Sequence, residues 1–136
     1  MKVKLDYFAV MPERAHDVDA GLDLKAPHAF IVPPRGSEVV DTGVHVELPP
    51  GTVGMLKSKS GLNVKFNITS EGVIDEGYTG SIIAKLYNNG DFPVAFERGQ
   101  KITQLVILPV VIPEIEIVEK LSETERGVSG FGSSGK

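Results

Sequence analysis

An all-β domain, a sandwich or a jelly roll, with one short helix and a polar C-terminal tail, is predicted by three observations. Fifteen glycines and nine prolines are spread through 136 residues, and turn-forming clusters recur at the spacing of about eight to twelve residues that separates short strands. The stretches between them favour Val, Ile, Phe, Tyr and Thr, which suit a pleated, half-buried surface. No stretch sustains the apolar period of a helix.

The elements follow in order. Strands are expected over Lys2–Phe8, Gly21–Lys25, Phe30–Val32, Ser37–Asp41, Val44–Leu48, Thr52–Leu56, Gly80–Asn88, Val94–Phe96 and Lys101–Leu108. Alternation is explicit in Val44-His45-Val46-Glu47-Leu48 and in Ile115-Glu116-Ile117. Turns are marked by Pro33-Pro34-Arg35-Gly36, Pro49-Pro50-Gly51 and Asn88-Asn89-Gly90-Asp91. A serine-capped helix is expected near Ser58–Val64. Residues 1–121 form the expected domain. Residues 122–136, rich in Gly and Ser, form a tail that composition alone would leave mobile.

Composition narrows the class. A net charge of −4 disfavours binding to nucleic acid through a basic surface. No apolar run approaches the length needed to cross a bilayer. Cysteine is absent, which removes disulfides and thiolate zinc sites and suits a reducing cytoplasm. His16, His28 and His45 lack ligand spacing and read as surface residues.

Five stretches could carry chemistry. Gly72 to Gly80 places Asp75 and Tyr78 in a glycine-rich turn, flanked by Ile68 before and by Ile82, Ile83 and Leu86 after. It is either an ordinary turn or a site where a carboxylate takes a proton from water and a ring lies against something flat. Ser58-Lys59-Ser60-Gly61 offers hydroxyls, a cation and helix-start amides to an anion, or is a solvated turn. Arg98 opens a cationic turn before a strand on which Gln104 needs a partner, either ligand phosphate or backbone. Asp23 lies between Leu22 and Leu24 and points away from their face, towards solvent or a metal-bound water. The tail holds Arg126 and Phe131, and its Gly and Ser amides could wrap an anion.

Taken in order, AGLDL at 20–24, KSG at 59–61, GVIDEGYTG at 72–80, RGQKITQL at 98–105 and RGVSGFGSSG at 126–135 resemble the five motifs of the trimeric dUTPases. The resemblance implies a homotrimer of jelly-roll subunits with shared sites, hydrolysing dUTP to dUMP and pyrophosphate. It implies Asp75 as the base that activates water and Tyr78 as the ring against deoxyribose. The Gly72–Tyr78 hairpin, Ile74 included, would read uracil. Lys59, Ser60, Gly61, Lys85, Arg98 and Gln104 would line the nucleotide. Arg126, Phe131, Gly132 and Ser133 would close over it. Mg²⁺ would chelate the triphosphate, with Asp23 reaching it only through water. Lys59 stands where the family usually has Arg, Gln100 where it has Asp, and Leu22 where Tyr is common. The related dCTP deaminases, also similar around the hairpin, carry a catalytic glutamate where this chain has Lys85. A non-catalytic regulatory relative or a capsid-like jelly roll would leave Asp75 or the tail without a use.

Overall fold

The computed structural model describes residues 1–129 and contains ten strands and one helix. The strands are β1 (Lys2–Leu5), β2 (Gly21–Lys25), β3 (Phe30–Val32), β4 (Ser37–Asp41), β5 (Val44–Glu47), β6 (Thr52–Lys57), β7 (Ile68–Ile74), β8 (Ile83–Asn88), β9 (Val94–Phe96) and β10 (Lys101–Pro109). Helix α1 (Ser60–Phe66) lies between β6 and β7. A six-stranded sheet runs β2-β10-β6-β7-β8-β4, and two-stranded ribbons pair β1 with β5 and β3 with β9. Every pairing is antiparallel. No helix among the described residues is long and apolar enough to cross a membrane.

Two apolar clusters form the core. Leu22, Leu24, Val44, Val46, Leu56, Ile74, Ile82 and Leu105 pack in one, and Val32, Val40, Ile68, Leu86, Phe96 and Ile102 in the other. Alternation is cleanest in β8, where Ala84, Leu86 and Asn88 are buried and the residues between are exposed, whereas β2 buries Leu22, Asp23 and Leu24 in a row. Buried Asn88 closes the turn after β8. Its amide nitrogen donates to the carbonyls of Val32 and Phe92, and its oxygen accepts from Gly90 N at 2.9 Å.

Several sequence expectations move. The flank expected from Ile68 is a full seven-residue strand, β7, and it lies inside the large sheet. Helix α1 begins at Ser60, and its N-cap is Lys59 with no side-chain cap bond. Ser58 does not cap it, because its hydroxyl accepts from Ser70 N at 2.9 Å and donates to Ser70 O. The strand expected at Gly80 starts at Ile83, and the one expected to reach Phe8 ends at Leu5. The Ile115-Glu116-Ile117 alternation forms no strand, and both isoleucines are exposed. Period-two patterning makes a strand only where a sheet edge is present to pair it.

Candidate active site

The site is built where β7 changes partner. β7 and β8 pair only at Ile68↔Asn88, Thr69↔Tyr87 and Ser70↔Leu86. Beyond that point β7 pairs β6 along its other edge, from Lys57↔Glu71 to Gly54↔Ile74, while β8 continues along β4. The two strands part as a wedge, and the β8-facing edge of residues 71–74 has no ladder partner there. A cavity of about 230 Å³ opens in the wedge, lined by Val73, Ile74, Asp75, Tyr78 and Ile83.

The connecting turn is held from several sides. Tyr78 N donates to Asp75 O at 3.1 Å, and Gly77 takes the positive φ of 88° that this tight turn requires. Glu76 turns outward to accept from Gly51 N at 2.7 Å. Ser81 donates to the Asp41 carboxylate. Ile82 N donates to Val44 O, and Ile82 O accepts from both the amide and the hydroxyl of buried Thr42. His45 of β5 reaches Thr79 O through Nδ1 at 2.8 Å and Asp6 Oδ2 through Nε2 at 3.1 Å. These two acceptors, Thr79 first, hold the His45 pKa above its ordinary value. Asp75 is left exposed, with no ion-pair partner among the described residues.

Tyr78 folds back over the hairpin, donating its hydroxyl to Ser81 O at 2.9 Å. Gly80 makes this possible: a Cβ there would lie 2.4 Å from the Tyr78 oxygen. Lys85 follows Ile83 on the same face of β8 and lies over the Tyr87 ring at 5.0 Å.

A second cluster sits on β2, β10 and the end of β6. Asp23 is buried rather than solvated. Lys59 donates to its Oδ1 and Lys101 to its Oδ2, the latter at 2.9 Å. Glu13 joins Lys101 at 3.3 Å and Lys25 at 2.9 Å. Burial pushes the Asp23 pKa up, but the hydrogen-bonded lysines outweigh it and the net shift is downward. Three lysines against two carboxylates leave this network cationic. Gln104, opposite Asp23 in the β10–β2 register, donates Nε2 to Ser58 O at 3.0 Å. Backbone is therefore the partner of this half-buried amide. Ser60 and Gly61 lie exposed at the start of α1. A Cβ on Gly61 would meet no described residue within 4 Å beyond its own helix backbone and chain neighbours, so packing among the described residues does not require glycine there. Arg98 donates to Phe8 O at 3.2 Å on an exposed turn.

The predicted residues thus fall into two groups. Gly72, Ile74, Asp75 and Tyr78 belong to the wedge, whereas Asp23, Lys59, Ser60, Gly61 and Gln104 belong to the cationic end. None of the second group lines the wedge cavity. Arg126 lies in an exposed turn and donates to Ser129 O at 3.1 Å. Phe131, Gly132 and Ser133 lie outside the described residues. His45, expected at the surface, has only 16% of its side chain exposed. It and Lys101 are the contacts that sequence reading missed. The one available signal was His45's place in an alternating strand.

The described residues contain no group of three His, Asp or Glu able to hold a metal, and both oxygens of Asp23 face ammonium groups. That donor set does not suit a resident magnesium ion. Magnesium binds through few carboxylates and readily through phosphates, so it suits this surface only as a companion of a phosphorylated ligand.

Comparison with known proteins agrees with this fold. A family model described as dUTPase matches residues 8–135. A deoxyuridine 5'-triphosphate nucleotidohydrolase of Gloeothece citriformis is 44% identical, the match covering 97% of this chain and 93% of that protein. One from Clostridium acetobutylicum is 42% identical over the same shares of each. A mutant dUTPase of Staphylococcus bacteriophage 80alpha solved with dUpNHpp superposes with TM-score 0.88 at 34% identity, covering 99% of this chain and 98% of that one. A mutant dUTPase from phage phi11 of S. aureus, described with a structural Mg(II) ion, gives 0.80 at 31% identity, covering 88% and 96%. With its fold, its hairpin and its relatives in agreement, this chain belongs to the dUTPase family.

Proposed function

We propose that the chain hydrolyses dUTP to dUMP and pyrophosphate, with Asp75 as the general base. The wedge between β7 and β8 carries this reading. Its unpaired backbone edge offers donors and acceptors to the polar edge of uracil, and a site built to match those groups rejects bases that leave them unpaired. Tyr78 packs against the deoxyribose and leaves no room for a 2′-hydroxyl. Asp75, exposed at the cavity wall, takes a proton from the water that attacks the α-phosphorus in line. The bond to the bridging oxygen breaks, and pyrophosphate leaves.

Positioning and charge neutralisation carry most of phosphoryl transfer. Lys59, Ser60, Gly61 and Arg98 are assigned to the phosphates, with magnesium arriving on the triphosphate itself; Asp23, buried with both oxygens on lysines, acts by holding Lys59 and Lys101 in place. Gln104 holds the Ser58–Ser60 turn, since its amide is already given to the Ser58 carbonyl. Lys85 lies beyond Ile83 on the cavity's side of β8 and adds positive charge there. Residues 122–136 act as a lid, with Arg126 on the γ-phosphate, Phe131 stacked on uracil, and Gly132 and Ser133 against the phosphates. Among the described residues none of the cationic end lines the wedge cavity, which supports a homotrimer in which one subunit's hairpin meets a neighbour's phosphate-binding residues.

Asp75→Asn tests the assignment. It should leave dUTP binding intact while kcat falls about a hundredfold or more, as on loss of a general base. Near-normal pyrophosphate release by this variant would remove Asp75 from the role.

A further inference from the structure

We propose that His45 is a positioning residue for the hairpin, acting as an imidazolium that ties Thr79 to Asp6 and sets the width of the wedge. The proposal rests on the reading of that wedge as the uracil slot. Both ring nitrogens face groups that can only accept, a carbonyl oxygen at 2.8 Å and a carboxylate oxygen at 3.1 Å. Each contact therefore needs a proton on the ring, and only the cation carries two. Either neutral tautomer would set a lone pair against one acceptor.

The location gives the bridge its effect. Val44, one residue earlier, accepts from Ile82 N at 2.8 Å. β5 thus holds the return arm of the hairpin by main chain at Ile82 and by side chain at Thr79. Thr79 is adjacent to Tyr78, and Ile83, next after Ile82, lines the cavity. A shift of Thr79 moves the ring and the wall together.

The charged groups around His45 are few. Lys4 stands opposite on β1, with its ammonium 3.6 Å from Asp6 Oδ1. Lys2 and Glu47 pair with each other further along the same ribbon. The hairpin presents only its carbonyl. Thr79 and then Asp6 favour the imidazolium, burial and Lys4 oppose it, and the balance raises the pKa. A raised folded pKa means the bridge is complete below the ordinary imidazole value and is lost as pH rises through the folded value.

Two measurements test this. In the wild-type protein, nitrogen-detected NMR should show both His45 nitrogens protonated below the ordinary imidazole value of about 6.5 and titration above that value. In kinetics, His45→Ala should raise KM for dUTP roughly tenfold, the scale of one lost charge-assisted bond, with kcat within about twofold, a split that marks lost binding rather than lost chemistry. His45→Asn, whose amide can still reach Thr79 without charge, should recover most of that KM and lose its rise at alkaline pH. Titration of His45 at or below the ordinary value overturns the proposal. So does an Ala variant with wild-type KM and pH profile, or one that lowers only stability and kcat. Wild-type turnover of dUTP, measured first, tests the substrate assignment separately, because the titration of His45 is read without substrate.

Discussion

Asp75 and Asp23 share a residue type and have opposite surroundings. Asp75 is exposed in the wedge, whereas Asp23 is 3% exposed and held by two lysines. The first can exchange a proton with water; the second organises cations. Because Asp23's folded pKa is lowered, its contribution to stability is complete above the ordinary carboxylate value and is lost as pH falls through the folded value. Asp23→Asn should therefore cost about 1–3 kcal/mol at neutral pH, as for a severed charged hydrogen bond. Urea unfolding should show the gap to wild type narrowing on acidification. A gap unchanged with pH would mean that the ion pairs add nothing. At this scale Asp75 and Tyr78 were legible because their motif is contiguous. His45 was not, since its partners Thr79 and Asp6 lie 34 and 39 positions away.

The elements explain why the hairpin is open. Most strands could be read from alternation and turn residues, because a half-buried strand needs alternate apolar side chains whatever its neighbour. The exchange of partners by β7 could not, since a ladder depends on which strand lies alongside. The start of α1 was misplaced for a similar reason: Ser58 has a distant partner in Ser70 that outcompetes the local cap. Gly54 shows how tightly β6 meets β7. A Cβ there would lie 2.8 Å from Leu105 Cδ1 and 3.1 Å from Ile74 Cβ. Gly54→Val should cost about 1–3 kcal/mol through overpacking, and by displacing Ile74 at the cavity wall it should also raise KM for dUTP. Unchanged unfolding and unchanged KM would show that the wedge is insensitive to this packing.

At the scale of the molecule, the order of the five motifs made the family legible, while their division into two groups emerged only from the fold. Strand structure ends at Pro109, and the described residues after it are exposed. Removing residues 126–136 should leave every strand in place and the unfolding temperature near that of the full chain. Turnover of dUTP should fall at least roughly tenfold, because the tail proposed as a lid can exclude water only when present. Loss of assembly on truncation would instead give the tail a structural role.

The parting of β7 from β8 carries a consequence for what this protein can learn to recognise. A slot that reads its guest with peptide groups takes little notice of an exposed side chain such as Glu71, so an exchange there that preserves the path of the main chain leaves its discrimination intact, while Val73 and Ile74 shape the wall. A single inserted residue would do the reverse: a slip of one position turns every inward group outward, and selectivity would vanish without the loss of any catalytic side chain.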